Sequence, residues 1–184
     1  PVAAALGREG SLLRVVRLGG NGVWGEGVAG LLTAALGSAS CVVEELDVSG
    51  CGVGGAEAEA LAAAAAGCGT LRTLTLGEWA MPVGALRSGT EVSTGGKAVG
   101  DAEWAVLGAL LRGSTSVTRL DLSGSLVSAE GMRLVGEGVS GSACPLAEVV
   151  MQGVTHGEGA IGVASRLEGL LSAACGHGSL ALVD

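Results

Sequence analysis

One recurring motif constrains the fold of this chain more than any other feature of its sequence. In its clearest copy, residues 43–53, apolar residues stand at relative positions 1, 4, 6 and 11, and a small residue stands at position 9. Further copies, complete or partial, begin at Leu13, Leu71, Val117, Leu146 and Leu180. A motif that recurs at intervals of about 20–50 residues is typical of a protein built from stacked, similar units.

The spacing of the motif predicts one strand and one helix in each unit. Successive copies begin 30, 28, 46, 29 and 34 residues apart, so three of the five intervals lie at 28–30. After the first copy, apolar residues return at i, i+3, i+4 and i+7, in Val28, Leu31, Leu32 and Ala35. That spacing indicates one buried face of a helix. Neither the strand nor the helix buries its apolar side alone, so we expect neighbouring units to stack.

The motif resembles the leucine-rich repeat, LxxLxLxx(N/C)xL, and its length is similar to that of the long repeats in ribonuclease-inhibitor-like proteins. The resemblance covers essentially the whole chain. It implies an α/β fold: a leucine-rich-repeat solenoid, or horseshoe, with a parallel β-sheet on the concave side and α-helices on the convex side. It also implies a single solenoid over 1–184, with about five repeats and partial end repeats. Because both ends fall inside repeats, we expect a fragment of a longer array.

The ninth position of the motif carries a further expectation from this resemblance. In the family, an Asn at this position turns the chain off the strand and bonds neighbouring backbone groups into a ladder, and Cys is a common substitute. Asn21 and Cys51 fit this pattern, and Ser125 is a weaker substitute. Trp79 and Val154 depart from it. We therefore expect the ladder to be broken at the third and fifth repeats.

The third interval, 46 residues long, contains extra sequence. Residues 82–97 are polar and rich in glycine and show no apolar periodicity. We predict an irregular insertion at about 82–98. A long irregular loop inside a compact domain is usually functional or disordered. We therefore expect the 82–97 loop to take part in binding.

Charge and composition argue against several classes of partner. The chain has 10 Lys and Arg against 18 Asp and Glu, a net charge of −8. Nucleic acid requires a basic surface, and so does an anionic membrane. The five cysteines include no CxxC pair, and the sequence shows no signal peptide. We predict reduced cysteines and a cytoplasmic location, in the cytosol or nucleus.

The motifs that would indicate chemistry are weak. Residues 50–55 fit GxGxxG, but residues 20–25 fit it in the same register, so these glycines belong to the repeat rather than to a nucleotide site. His156 and His177 have no Cys at the spacing of a zinc site. We therefore predict that the chain is not an enzyme and has no cofactor, no metal and no small-molecule substrate.

The residues between the buried positions of each strand predict a surface for a protein partner. Alternate strand side chains face opposite ways, so positions 3 and 5 of the motif face away from the core. We call this surface the strand face. Its position-5 stripe is Arg17, Asp47, Thr75, Asp121 and Val150, and its position-3 stripe is Val15, Glu45, Thr73, Arg119 and Glu148. The predicted binding residues are Arg17, Glu45, Asp47, Thr73, Thr75, Arg119, Asp121 and Glu148.

Three functions fit such a surface. The first is recognition of a protein through the strand face and the 82–97 loop. The second, suggested by the similarity to Ran GTPase-activating proteins, is stimulation of a small GTPase by Arg17, Arg72 or Arg119. The third is a structural spacer or sensor region in a larger receptor-like protein. The alternative for the strand face itself is a solvated surface whose ion pairs contribute little to stability.

Overall fold

The computed structural model describes residues 9–22, 26–140, 142–156 and 181–183. Over these ranges short strands and helices alternate. The strands are β1 (Val15–Arg17), β2 (Glu45–Asp47), β3 (Thr73–Thr75), β4 (Ala80–Met81), β5 (Glu91–Ser93), β6 (Arg119–Asp121), β7 (Leu126–Val127), β8 (Glu148–Val150), β9 (Thr155–His156) and β10 (Ala181–Val183). The helices are α1 (Glu26–Leu36), α2 (Gly55–Gly67), α3 (Val83–Ser88), α4 (Asp101–Arg112) and α5 (Ala129–Val139).

The strands of the motif lie parallel and in register. β1, β2 and β3 form one parallel group, and β5, β6, β8 and β10 form another. The aligned residues at motif position 4 are Val16, Leu46 and Leu74 in the first group and Val92, Leu120 and Val149 in the second, where Leu182 stands beside Val149. The predicted start of the last copy at Leu180 is therefore wrong by one residue, because this register puts position 1 at residue 179. In β1 to β8 these position-4 side chains are at most 7% exposed. The buried face of the strands is therefore the one that the motif predicts.

The antiparallel strand β4 interrupts this order. It pairs with β3, so that Met81 faces Leu74. As a result the described strands form two four-stranded sheets, ordered β1-β2-β3-β4 and β10-β8-β6-β5, and a two-stranded pair of β7 and β9. The expected single parallel sheet is divided here because the unit between Leu74 and Val92 spans only 18 residues. That length leaves room for a short helix but not for a full strand, turn and helix.

The segment predicted as an irregular insertion, about 82–98, instead contains α3 and β5. β5 pairs with β6 in the same parallel register as the other motif strands. The sequence pattern concealed this strand because Gly89 and Thr94 occupy motif positions 1 and 6, where leucine is expected. Thr94 is nevertheless fully buried. Its hydroxyl lies 2.5 Å from the Ser125 Oγ, which removes the cost of burying a polar group.

Glycines at motif position 8 turn the chain away from the strands. Their φ angles lie between 61° and 75°, in the left-handed region that glycine adopts without steric cost. They are Gly20, Gly50, Gly96, Gly124 and Gly153. Gly20 and Gly50, one from each stretch that resembles a nucleotide-binding motif, thus belong to a turn that recurs along the chain.

Two of the side chains at motif position 9, Asn21 and Cys51, form hydrogen bonds with the neighbouring backbone. Asn21 Nδ2 donates to the Leu18 carbonyl oxygen at 2.6 Å, and the Cys51 thiol donates to the same oxygen at 3.2 Å. In the third unit Trp79 is buried instead, and its backbone N–H donates to Glu103 Oε1 at 3.3 Å. The third unit therefore departs from the ladder, in agreement with the expected interruption there.

The helices pack on one another in chain order. α2 lies between α1 and α4, and α5 packs against α4. Their inward side chains include Leu36, Leu61, Trp104 and Leu107, each at most 4% exposed. α3 is too short to continue this layer as a full helix, but its Val83 and Leu86 are buried in the same core. Strands and helices thus share one apolar core, as stacked units require.

Candidate functional site

All of the predicted binding residues lie on described strands, but their neighbours differ from the expectation. Arg17, Glu45, Asp47, Thr73 and Thr75 lie on β1 to β3, and Arg119, Asp121 and Glu148 lie on β6 and β8. The register places Glu91 beside Arg119 and Ser93 beside Asp121. The predicted order, with Thr73 next to Arg119, is therefore wrong. Sequence reasoning missed Glu91 and Ser93 because β5 carries only one apolar anchor.

Arg119 is held between two carboxylates on neighbouring strands. Its Nε lies 3.5 Å from Glu91 Oε1 and 3.9 Å from Glu148 Oε2. The Arg119 Nε is buried and has no hydrogen-bond partner among the described residues. The arginine is thus oriented by charge rather than by a directed hydrogen bond. The Arg119 side chain as a whole is 39% exposed, so a partner can contact it although its Nε is covered.

The other end of the strand face is more open. Arg17 Nη2 lies 3.5 Å from Glu45 Oε2, and these side chains are 73% and 51% exposed. Arg14 and Glu44 form a second ion pair at motif position 2. Exposed pairs of this kind contribute about 0–1 kcal/mol each to stability. Because they contribute so little to folding, their side chains are available to a partner at small cost.

Asp47 and Asp121 have a structural role in addition to their place on the strand face. Each accepts a hydrogen bond through Oδ1 at 2.9 Å, Asp47 from the backbone N–H of Ser49 and Asp121 from that of Ser123. The hydrogen bonds of Ser123, followed by the charge of Arg119, lower the pKa of Asp121. Both aspartates therefore shape the turn after their strands. The sequence contains the signal for this role, since Asp followed two residues later by Ser is typical of an Asx turn.

The 82–97 segment divides into a packed half and an exposed half. In the packed half, Arg87 donates from Nη2 to the Cys68 carbonyl oxygen at 2.7 Å and to that of Ala65 at 3.2 Å. Its Nη1 donates to the Gly69 carbonyl oxygen at 3.1 Å. These bonds satisfy carbonyls at the end of α2, where the helix leaves them without partners. The exposed half holds β5 and the turn that ends at Lys97, and it is this half that adjoins the strand face.

An open cleft lies where α3 meets the start of β3. It is lined by Glu44, Thr70, Arg72, Ala85, Arg87 and Ser88. Arg72 is exposed and forms no ion pair with any residue in the described ranges. Sequence reasoning named Arg72 as a candidate for GTPase stimulation and did not predict the cleft. The cleft exists because α3 returns beside the strand that precedes it.

The structure offers no metal centre over the part of the chain that it describes. No group of at least 3 His, Cys, Asp or Glu side chains comes together there in a way that would hold an ion. His177 lies outside the described residues. No described helix has both the length and the apolar character needed to cross a bilayer.

Comparison with known proteins gives a match to a family model and likenesses among solved structures. The family model described as Leucine Rich repeat matches residues 39–62, which contain β2 and the first part of α2. No curated protein sequence gives a significant match. Among solved structures, a chain described as leiomodin-1 actin-binding site 2 (ABS2) is 12% identical at a TM-score of 0.38. That alignment covers 92% of this chain and 70% of the other.

The family match supports a leucine-rich repeat protein. It falls on the stretch in which the motif is clearest, and the structure forms a strand, a turn and a helix there. It concerns the repeat in general and does not distinguish the ribonuclease-inhibitor-like subtype.

Proposed function

We propose that this chain is a protein-interaction module that binds a protein partner through the strand face and the 82–97 segment. The pairing of β5 with β6 is the observation that supports this most directly. Because β5 belongs to the 82–97 segment, it brings Glu91 and Ser93 onto the same surface as Arg119 and Asp121. The 82–97 segment is thereby joined through β5 to the part of the strand face that bears Arg119 and Asp121.

The charges of this surface suit selective recognition. Glu91, Arg119 and Glu148 alternate in sign across adjacent strands, which are about 4.8 Å apart in a β-sheet. A partner with the opposite alternation would match all three charges, and like charges in the wrong register would repel it. Such patterns contribute to specificity and to the rate of association more than to affinity. We therefore expect binding to weaken as salt increases.

The wider architecture that we propose is a ribonuclease-inhibitor-like horseshoe. Its support is the set of motif intervals at 28–30 residues together with the two groups of parallel strands. We also propose a cytoplasmic scaffold role. Cys41, Cys51, Cys68 and Cys144 are free and buried, which suits a reducing compartment. We assign to the chain no catalysis and no cofactor of its own.

The test is quantitative capture of crosslinked partners with charge-reversed variants. Arg119→Glu reverses the centre of the strand face, and Arg133→Glu reverses an arginine of α5 that is 48% exposed and also pairs with two carboxylates. We expect Arg119→Glu to lose specific partners at least tenfold relative to Arg133→Glu. Equal retention by both variants would overturn the strand face as the binding surface and favour a spacer role.

Arg72 is the observation that keeps a second function open, namely stimulation of a small GTPase. Arg119 is engaged by two carboxylates, whereas Arg72 is exposed beside a cleft and has no ion pair within the described ranges. An arginine that stabilises transferred phosphate must be free to reach it. If a captured partner is a GTPase, Arg72→Ala should abolish accelerated hydrolysis and leave binding largely intact. Binding without any change in hydrolysis would exclude this function.

A further inference from the structure

Two cysteines meet where consecutive units of the chain stack. Cys41 precedes β2 and Cys68 follows the last residue of α2, so both stand in turns that lead from a helix into a strand. Their sulfur atoms are 3.8 Å apart although the residues are 27 positions apart in sequence. The side chains are 6% and 3% exposed, respectively. The fold therefore holds two thiols in contact, almost out of reach of solvent.

A hydroxyl ties the two turns together. Thr70 Oγ1 lies 3.4 Å from the Cys68 Sγ and donates to the carbonyl oxygens of Cys41 and Val43, at 3.2 Å and 2.9 Å. This arrangement holds the turn with Cys41 next to the turn with Cys68. The sulfur contact is thus part of a bonded junction between two units rather than an accident of side-chain packing.

The surroundings also make the two thiols unequal. Burial raises the pKa of Cys41. At Cys68 burial opposes the thiolate as well, but hydrogen bonds, among them one from the Leu71 backbone N–H, outweigh it and lower the pKa. Since the thiolate is the reactive form of cysteine, Cys68 is the better first nucleophile of the pair. Cys41 is placed to react second.

We propose that Cys41 and Cys68 form an intramolecular disulfide when the protein meets a peroxide. The Cys68 thiolate attacks one oxygen of hydrogen peroxide; an S–O bond forms, the O–O bond breaks, and the departing hydroxide takes up a proton to become water. The Cys41 sulfur then attacks the sulfenic sulfur of Cys68. An S–S bond forms, the S–O bond breaks, and the leaving hydroxide takes the Cys41 proton as a second water. Two thiols lose two electrons and one peroxide gains them.

The geometry allows this bond at a modest displacement. A disulfide requires a sulfur separation of about 2.05 Å, so the two atoms must approach by roughly 1.8 Å. Gly69 and Thr70, which follow Cys68, are exposed, so this turn has room to adjust. Hydrogen peroxide is little larger than water and needs only a local opening to reach the pair. Bulkier oxidants such as glutathione disulfide would react more slowly here.

The bond would connect this junction to the candidate binding surface. Gly69 and Thr70 line the cleft beside Arg72. A disulfide at Cys68 would therefore hold this wall of the cleft against the preceding unit. It would also restrict the unfolded chain, so oxidation should raise the midpoint of thermal unfolding.

The test is peptide mapping of the native protein after brief exposure to hydrogen peroxide and alkylation of the remaining thiols. The sequence has no Lys or Arg between Arg17 and Arg72, so trypsin leaves Cys41, Cys51 and Cys68 in one peptide. Cleavage after glutamate separates all three cysteines, because Glu44 and Glu57 lie between them. A protease specific for glutamate therefore identifies the linked pair directly. The same treatment in concentrated urea shows whether the link depends on the fold.

We expect one linked peptide pair that contains Cys41 and Cys68, is lighter by two hydrogen atoms and separates on reduction. It should persist in Cys51→Ser, whose cysteine is fully buried and bonds to a carbonyl, and be absent in Cys68→Ser. In urea the preference for this pair should disappear. The proposal would be overturned if both thiols of the native protein stay free and are alkylated, or if Cys51 forms a disulfide as readily. It would also be overturned if peroxide gives only higher oxides of Cys68. The comparison of native wild type with wild type in urea tests the proposal even if a variant fails to fold.

Discussion

A Cβ atom placed on Gly138 would lie 2.6 Å from the carbonyl carbon of Gly108, so α5 meets α4 backbone to backbone at this point. Seven residues earlier on α5, a Cβ on Gly131 would lie 2.5 Å from Cδ1 of Trp104. Both separations are far shorter than a van der Waals contact. The absence of side chains at these glycines therefore sets the distance between the units that carry β5 and β6. Those strands bear Glu91 and Arg119.

Replacing Gly138 with alanine should destabilise the protein, because the added methyl group has no space and the helices must separate. Overpacking of this kind costs about 1–3 kcal/mol. Gly30 in α1 is the matched control, since a Cβ there meets nothing within 4 Å. Gly30→Ala should stabilise by about 0.4–1 kcal/mol. Urea unfolding measures both, and a Gly138→Ala variant as stable as Gly30→Ala would contradict the close packing of α4 on α5.

Truncation of a position-4 leucine tests the register of the strands. Leu46 and Leu120 are 1% and 0% exposed, and replacing either with alanine should cost about 2–5 kcal/mol. Leu126 is 46% exposed, so Leu126→Ala should have a much smaller effect. Thermal or urea unfolding of these variants measures the loss of stability in each. An unchanged unfolding curve for Leu46→Ala would show that the register is wrong.

Glu103 is a buried carboxylate with a structural purpose. It is 3% exposed, and its oxygens accept from the backbone N–H groups of Gly100 at 2.7 Å and Trp79 at 3.3 Å. Glu103→Ala should leave these two donors without acceptors and destabilise by about 1–3 kcal/mol. Glu59→Ala, at an exposed position of α2, serves as the control in the same unfolding experiment. If the two variants unfold alike, the hydrogen bonds of Glu103 do not stabilise the fold.

Asp121 should make stability depend on pH in a defined direction. Its folded pKa is lowered, chiefly by the hydrogen bonds of Ser123, so the carboxylate binds protons less readily in the folded state than in the unfolded state. The stabilisation is complete above the unfolded pKa of about 3.9 and is lost as pH falls through the folded value. Asp121→Asn keeps the oxygen that accepts from Ser123 but removes the titration.

The measurement for Asp121 is the urea midpoint between about pH 5 and pH 2. The Asp121→Asn variant should lose less stability over this range than the wild type. Asp121→Ala, which lacks the hydrogen-bond acceptor, should be less stable than the wild type already at the upper end of this pH range. If the urea midpoints of wild type and Asp121→Asn fall identically with pH, the Asp121 carboxylate does not contribute to the pH dependence of stability.

The repeating units could be predicted from the sequence wherever leucine or valine marks positions 1, 4 and 6. At β2 these are Val43, Leu46 and Val48, and all three are buried. β5 could not be found in this way. Its position-6 residue, Thr94, is buried because its hydroxyl meets that of Ser125, a partner 31 residues away. A pattern of hydrophobicity contains no signal for a polar pair that forms only after the units stack.

The candidate site also combines features that could be predicted from the sequence with features that could not. Alternation along each strand was enough to predict that Arg119 and Glu148 face outward, since that depends on local geometry alone. Which residue stands beside Arg119 depends on strand order, and the short unit between β3 and β5 changed that order. The turn role of Asp47 was readable from Ser49 two residues later. It was missed because position 5 was considered only as part of a stripe.

The most direct test of the binding surface is a photoreactive amino acid at Ser93, on β5, compared with the same residue at Ser140, the exposed residue after α5. Ser93 stands beside Asp121 on the strand face. After irradiation in extracts of the source cells, we expect Ser93 to give a specific crosslink to a protein partner and Ser140 to give none to that partner. The same partner crosslinked from Ser140 but not from Ser93 would contradict binding through the strand face.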